Sequence, residues 1–178
     1  TLGDEIKKHT IIVNGMAKTY AMTGWRIGYA VAEAPVIKAM SNMQSHATSN
    51  PNSIAQAASV AALNGDQSVI EPMKAEYVRR RDYMVARING IEGLSCQCPH
   101  GAFYVFMNVK DVLGKEHYGK MIHTATELCE DVLDRALVAM VPSEGFGVEG
   151  YVRLSYATSM EQIDKGVDRI EHFVNSLV

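Results

Sequence analysis

The chain is poor in cysteine and contains no long apolar run. Three cysteines among 178 residues are too few, and odd in number, for a disulfide framework, which agrees with a reducing compartment. No uninterrupted apolar stretch is long enough to span a bilayer, and the first residues do not form a basic-then-apolar leader. We therefore expect a cytoplasmic protein that does not insert into a membrane.

A strong excess of either charge is also absent. The formal net charge is -3, and charged residues make up 21% of the chain. Without a long basic block, the sequence gives no electrostatic footprint for nucleic acid or an anionic membrane. The only basic run, Arg79-Arg80-Arg81, is followed at once by Asp82. We interpret this run as the solvent-exposed face of a helix and not as a phosphate-binding patch.

One short cysteine-containing motif could be imagined as a metal loop. It reads Cys96-Gln97-Cys98-Pro99-His100. Its spacing differs from the usual Cys-x-x-Cys knuckle and no second pair of ligands follows. The segment is better interpreted as the edge of a strand, and we expect no metal site.

The most informative segment runs from Gly15 to Gly28 and contains Lys18 and Arg26. A lysine amine can condense with the aldehyde of pyridoxal phosphate, and a substrate amine can displace it, which frees the lysine to move protons. A guanidinium presents a planar fork of donors that can bind a phosphate in bidentate fashion. Gly24 and Gly28 would let the backbone approach a ligand closely. Taken alone, the two cations could also be solvated charges in a glycine-bearing loop.

The full run Gly-Met-Ala-Lys-Thr-Tyr-Ala-Met-Thr-Gly-Trp-Arg-Ile-Gly resembles the cofactor-attachment signature of the class I and II aminotransferases. These are pyridoxal phosphate enzymes of fold type I, and the run is most similar to their bacterial aspartate aminotransferase branch. The resemblance implies that Lys18 binds the cofactor covalently and that Arg26 binds its phosphate. Ala17 replaces the serine whose hydroxyl contacts the phosphate in the family, so the resemblance does not extend to that contact.

A third cation, Arg153, interrupts the alternating segment from Tyr151 to Ala157. An arginine in an otherwise apolar strand needs an anion to meet it, and a strand would hold its fork rigidly. The pattern alone favours a structural ion pair with Asp or Glu from a neighbouring element. However, the run Arg-Leu-Ser-Tyr-Ala resembles the family segment whose arginine binds the α-carboxylate of the amino acid substrate.

Further segments extend the resemblance over nearly the whole chain. Residues 44–51 are similar to the same branch, and residues 99–104 resemble the family's entry into its small domain. Residues 141–147 resemble the Val-Pro-Gly-x-x-Phe-Gly loop, with Ser143 in place of the usual glycine. Ser143 could cost the loop a backbone conformation that glycine takes easily. Alternatively, Gly145 could supply that conformation.

Hydrophobic periodicity predicts a mixed fold of class α/β and α+β. We find no helix signal in residues 1–9, and residues 114–120 read as a glycine-bearing loop. Predicted strands span residues 9–14 (buried), 26–31, 94–98, 102–109, 137–141 and 151–157. Predicted helices span residues 35–43, about 51–64 with Asn50 as cap, and 126–135. A longer helix follows a Ser68-x-x-Glu71 capping box and stops at Asn89-Gly90. The last helix opens at Ser159 and has Ile163, Val167, Ile170, Val174 and Leu177 as its buried stripe.

The resemblance divides this pattern into two parts. Residues 1–71 would be the end of the large cofactor-binding domain, a strand-loop-strand unit with helices. Residues 72–178, including the long linking helix, would be the small α+β domain of aminotransferase type. The lysine comes well past the midpoint of a family chain about twice as long, so we expect the carboxy-terminal part of such an enzyme.

The resemblance implies amino-group transfer between an amino acid and a 2-oxo acid, with pyridoxal 5'-phosphate as cofactor, an aspartate-like substrate and a homodimer. The family's aspartate on the pyridine nitrogen, and the tyrosine, asparagine and aromatic residue around the ring, would lie upstream of Thr1. We therefore expect the chain alone to be inactive and to bind cofactor weakly.

Two alternatives stay open from the sequence. Lyases, decarboxylases and synthases use the same signature, because one cofactor carbanion can partition in several ways. Some transcription regulators also carry an aminotransferase-like ligand-sensing domain fused to a DNA-binding module, which would lie upstream.

Overall fold

A computed structural model describes residues 3–178. The chain divides into two compact units, Thr1–Pro72 and Met73–Val178. Both units mix helices and strands, as the sequence predicts. Within the described residues, no helix has the length and apolarity that crossing a membrane requires.

Among its described residues, the first unit contains a two-stranded antiparallel ribbon, three whole helices and the start of a fourth. The strands are β1 (Ile12–Gly15) and β2 (Gly28–Val31), and the helices are α1 (Asp4–Lys8), α2 (Ala34–Ala47) and α3 (Ser53–Asn64). The register sets Gly15 opposite Gly28. The long helix α4 (Ile70–Asn89) begins at the end of this unit. The predicted lack of a helix near the start is wrong for the described residues, because α1 is present; Thr1 and Leu2 lie outside them.

Strand β1 is not the buried strand that its β-branched residues suggest. Ile12 is 43% exposed and Val13 is 77% exposed. Such runs are usually covered on both faces of a sheet, which is why the sequence reads as buried. In this unit the described buried apolar residues are Met16, Met22 and Ala55. The ribbon therefore leaves much apolar surface uncovered.

Two helix starts differ from the sequence prediction. The side-chain oxygen of Asn52, and not that of Asn50, caps α3 by accepting two backbone N–H groups of the first turn at 2.8 and 3.2 Å. Before α4, the Ser68 hydroxyl donates to the Asp66 carboxylate at 2.6 Å. Helix α4 begins at Ile70, so Ser68 is not the residue directly before the helix, as the predicted capping box with Glu71 requires.

The second unit is built on an antiparallel sheet. Its strands are β3 (Ser95–Cys96), β4 (Tyr104–Asn108), β7 (Val141–Pro142) and β8 (Tyr151–Ser155), and a separate hairpin pairs β5 (Glu116–His117) with β6 (Lys120–Met121). The sheet order is β3-β4-β8-β7. Helices α5 (Ala125–Ala136) and α6 (Met160–Asn175) complete the unit. Cys96 thus lies in an edge strand.

Alternation along β4 and β8 gives this sheet two different faces. Val105, Met107, Val152 and Leu154 are buried in the hydrophobic core. Phe106, between the two buried residues of β4, is 39% exposed on the other face. The predicted stripe of α6 joins the same core through Ile163, Val167, Ile170, Val174 and Leu177. One face of the sheet is therefore packed, and the open face carries larger polar and aromatic groups.

One loop prediction and one strand prediction in this unit are wrong. The segment 114–120 contains β5 and the start of β6, joined by Tyr118 and Gly119 at φ 47 and 83. Two consecutive left-handed residues are typical of a tight hairpin turn, which Asn-Gly or Asp-Gly would have signalled more clearly than Tyr-Gly. The predicted strand at 137–141 is reduced to its end, because Leu137 terminates α5 in the left-handed conformation at φ 56.

Candidate functional site

Lys18 lies in a turn between β1 and β2. The backbone N–H of Ala21 donates to the Lys18 carbonyl at 3.1 Å, and Ala21 takes a left-handed φ of 53. Met16 and Met22 on either side of the turn are buried, whereas Lys18 is exposed. Apolar burial at both ends thus holds a short turn that carries an exposed amine.

Arg26 follows a 3-10 turn, Thr23–Trp25, in the same connection. It adopts the left-handed conformation at φ 51 and ψ 49, which residues other than glycine seldom take and which often marks functional sites. One guanidinium nitrogen donates to the Thr23 carbonyl at 2.9 Å. The strand predicted to begin at Arg26 therefore begins at Gly28, and the arginine belongs to the loop.

A shallow cavity of about 550 Å³ lies between Arg26 and the start of α3. It is lined by Gly24, Trp25, Arg26, Asn52, Ile54 and Ala55. A guanidinium and a helix amino terminus both favour an anion. Since Asn52 already accepts two N–H groups of that helix, the guanidinium is the main donor here. The donor chemistry of the loop, an amine and a guanidinium, fits the aldehyde and the phosphate of pyridoxal phosphate.

The two glycines of the loop have different roles. A Cβ atom on Gly28 would lie 2.9 Å from the Asn14 carbonyl oxygen, closer than real contacts allow. Gly28 is therefore required for pairing of β1 with β2, and not for approach to a ligand as the sequence suggested. A Cβ atom on Gly24 would meet no heavy atom within 4 Å, and this residue does line the cavity.

Arg153 lies on the open face of the sheet, on β8. It is paired in register with Phe106 of β4 and Val141 of β7. Its guanidinium carbon is 4.5 Å from the centroid of the Tyr104 ring and 4.7 Å from that of Phe146. Two cation–π contacts hold a half-buried guanidinium and leave its charge in place.

The structural ion pair that the pattern favoured for Arg153 is not found. Among residues 3–178, no carboxylate oxygen lies within 4.0 Å of its guanidinium. Aromatic contacts restrict the fork without neutralising it, so its N–H edges suit a planar carboxylate from a ligand. The buried hydroxyl of Tyr156 donates to the Ala102 carbonyl at 2.9 Å and ties the end of this segment to the start of β4. Burial raises the pKa of Tyr156.

The loop after β7 brings Phe146 to this arginine. Ser143 is fully buried, and its hydroxyl donates to a backbone carbonyl and accepts from the Tyr151 N–H at 3.2 Å. Its φ of -88 is ordinary for any residue, whereas Gly147 takes φ 78. Ser143 therefore removes no needed conformation, and the left-handed position falls on Gly147 and not on Gly145.

The structure brings Lys18 and Arg26 onto one connection of the first unit, and it holds Arg153 in the second. Sequence reasoning missed the contacts that Tyr104 and Phe146 make with Arg153. The only signals were the alternation of residues 102–109 and the phenylalanine of the loop after β7, and neither specifies a contact.

Comparison with known proteins decides the family. The profile of the family described as aminotransferase class I and II matches residues 1–170. The chain belongs to this family. Relatives include the aspartate/prephenate aminotransferase of Nitrosomonas europaea, 45% identical over 93% of this chain and 42% of that protein. The aspartate aminotransferase of Rhizobium meliloti strain 1021 is 49% identical over 93% of this chain and 40% of its own length.

Solved structures of this aminotransferase family have the same fold. The crystal structure of the aspartate aminotransferase from Rhizobium meliloti matches with a TM-score of 0.93 and 47% identity, over 97% of this chain and 43% of that one. The aromatic aminotransferase from Pyrococcus horikoshii matches with a TM-score of 0.86 and 37% identity. The chain thus spans about two fifths of the length of its relatives. The predicted family and fold class are confirmed, and these names give no support to the lyase or regulator alternatives.

Proposed function

We propose that this chain supplies a covalent lysine, a phosphate-binding arginine and a carboxylate-binding arginine to a pyridoxal phosphate-dependent aminotransferase. The observation that carries the proposal is Arg153, a half-buried cation held by two aromatic rings and unpaired with any carboxylate of residues 3–178. Such a group suits the α-carboxylate of an amino acid. Membership in the aminotransferase family supplies the reaction class.

Lys18 and Arg26 would hold the cofactor. The Lys18 amine would bind it covalently, and Arg26 would bind its phosphate beside the start of α3. Bound pyridoxal phosphate stabilises negative charge on the substrate Cα. Once the substrate amine has displaced the Lys18 amine from the cofactor, the Lys18 amine would move the proton at that Cα. Arg153 would orient the substrate by its carboxylate, so that the correct Cα bond is broken.

The substrates would be an amino acid and a 2-oxo acid. Aspartate is the first candidate, because the Rhizobium relative is named as an aspartate aminotransferase and the Nitrosomonas relative as an aspartate/prephenate aminotransferase. We also propose a cytoplasmic homodimer for the whole protein, with no nucleic acid or membrane partner. Three free cysteines agree with a reducing compartment.

We further propose that residues 1–71 end a large cofactor-binding domain and that residues 72–178 form the small domain. The aligned relatives are more than twice as long as the matched segment. The remaining contacts to the cofactor ring would come from sequence that this chain does not contain. The chain alone is therefore expected to bind the cofactor weakly and to turn over no amino acid.

Reductive trapping tests the proposed role of Lys18. The 178-residue chain is incubated with pyridoxal phosphate, reduced with borohydride, and digested for mass mapping of labelled lysines. We expect preferential labelling of Lys18, its loss in Lys18→Ala, and its retention in Lys38→Ala, which removes another exposed lysine of the same unit. Labelling spread evenly over the exposed lysines would contradict the assignment.

A further inference from the structure

We infer that Glu144 is a positioning residue, which holds Phe146 against Arg153 by binding the amino terminus of α5. The inference rests on the proposed role of Arg153 as the carboxylate site. It concerns a carboxylate that contacts neither Arg153 nor any substrate directly. Its effect would reach the site through the loop after β7.

The geometry of Glu144 links that loop to α5. One carboxylate oxygen accepts the backbone N–H of Ala125 at 2.9 Å, and the other accepts the Thr126 hydroxyl at 3.3 Å. Ala125 is the first residue of α5, so the carboxylate lies at the positive end of the helix dipole. Both oxygens are engaged, which fixes the orientation of the turn that Glu144 begins.

Helix α5 already has a capping box of its own. The Thr124 hydroxyl accepts the Glu127 N–H at 3.1 Å, and the Glu127 carboxylate accepts the N–H groups of His123 at 2.7 Å and of Thr124 at 3.2 Å. This capping box begins the helix without help from Glu144. The bond from Ala125 to Glu144 therefore restrains chiefly the loop.

Phe146 depends on this restraint because little else covers it. The ring is 53% exposed, yet its centroid is 4.7 Å from the guanidinium carbon of Arg153. On the other side, the buried Ser143 fixes the start of the loop through its two hydroxyl hydrogen bonds. With Glu144 released from α5, the turn keeps its backbone hydrogen bond from the Phe146 N–H to the Ser143 carbonyl at 2.8 Å, but it loses its link to the helix, and the exposed Phe146 ring can leave Arg153.

The test uses side-chain NMR of Arg153 in the 178-residue chain, with maleate as the carboxylate probe. The rings of Tyr104 and Phe146 both shift the Arg153 signals, so the part of the shift that Phe146→Leu removes reports the Phe146 contact. In Glu144→Ala we expect this shift to shrink and the dissociation constant for maleate to rise by about fivefold, in line with loss of one cation–π contact. Glu144→Gln should restore both, because its amide oxygen still accepts the Ala125 N–H.

Three other variants separate positioning from general stability. Thr124→Ala removes the other cap of α5 and should lower thermal stability while leaving the Arg153 signals and maleate affinity unchanged. Glu149→Ala removes an exposed charge near the same loop and should change neither. Phe146→Leu removes the ring itself, should reproduce Glu144→Ala, and keeps the test valid if Glu144→Ala does not fold.

The outcomes are distinct. Unchanged Arg153 signals in Glu144→Ala would overturn the positioning role, and so would the same loss of ring shift in Thr124→Ala. If Glu144→Ala does not fold, the role would be overturned by unchanged maleate affinity in Phe146→Leu. If the parent chain binds no maleate, or if Arg153→Ala binds it equally well, the proposed carboxylate site is wrong. A lost ring shift in Glu144→Ala would still support the positioning of Phe146 in that case.

Discussion

Arg153 and Lys18 are held by different kinds of interaction. Arg153 is restrained by aromatic side chains from β4 and from the loop after β7, so its position depends on residues distant in sequence. Lys18 is set by a local turn between two buried methionines. For this reason the lysine loop could be recognised from its own residues, whereas the surroundings of Arg153 could not.

The cysteines provide a residue-scale prediction. Burial raises the pKa of Cys129 to about 12 and that of Cys96 to about 11, whereas Cys98 is exposed. Because the thiolate is the reactive form, iodoacetamide at neutral pH should alkylate Cys98 first. Peptide mass mapping over time measures this order. Labelling of Cys129 at the same rate would contradict its burial, and Cys98→Ser serves as the control.

At the scale of elements, prediction succeeded where local signals agree. Helix α6 combines the Ser159 cap, which accepts the Gln162 N–H at 3.3 Å, with an apolar stripe of helical period. Prediction failed for the β5–β6 hairpin, whose turn residues are atypical, and for β1, whose burial depends on what covers it. The Ser68-x-x-Glu71 motif misplaced the helix start, because α4 begins at Ile70 and not directly after Ser68. Local sequence patterns therefore predicted the helices and strands better than the contacts between them.

A buried hydrogen bond between His117 and Asp131 ties β5 to α5 and gives a pH-dependent prediction at this scale. His117 bonds Asp131, which also accepts from Arg135 at 3.0 Å. Burial acts to raise the pKa of Asp131, but the hydrogen bonds from His117 and Arg135 outweigh it, and the net pKa is lowered. Because the carboxyl pKa is lower in the folded state, the ionised carboxylate stabilises the fold at pH values above its unfolded-state pKa of about 3.9. This stabilisation is lost as the pH falls through the folded-state pKa.

Asp131→Asn should therefore destabilise the chain most at neutral pH. We expect a loss of about 3 kcal/mol in the free energy of unfolding, typical of removing one partner of a buried pair. The difference from the parent chain should shrink below about pH 4 as the parent carboxyl takes up its proton. Urea unfolding at several pH values measures this. A difference in unfolding free energy that stays constant down to acid pH would contradict the ionic role of Asp131. The control is Asp134→Asn, which changes an exposed neighbour on α5.

At the scale of the whole molecule, the two units differ in how far they bury their apolar residues. The second unit has one continuous core drawn from its sheet and helices. The first exposes Ile12, Val13 and Val31 on its ribbon and Met43 on α2. Ile12 and Val31 are paired in register, and contiguous exposed apolar groups are commoner at interaction sites than on the rest of a protein surface. This exposed surface agrees with a chain that spans about two fifths of its relatives' length and with the proposal that activity needs more sequence.

The most direct test of the central claim is a chimera. The segment of the Rhizobium meliloti aspartate aminotransferase that aligns with this chain, at 47% identity, is replaced by the chain, and amino-group transfer from aspartate to a 2-oxo acid is measured. We predict that the chimera transfers the amino group and that Lys38→Ala retains this activity. In Lys18→Ala the transfer rate should fall by at least about 1,000-fold, because general acid–base catalysis alone contributes up to about 10⁴-fold. A folded chimera with full activity in Lys18→Ala would contradict the assignment of the catalytic lysine.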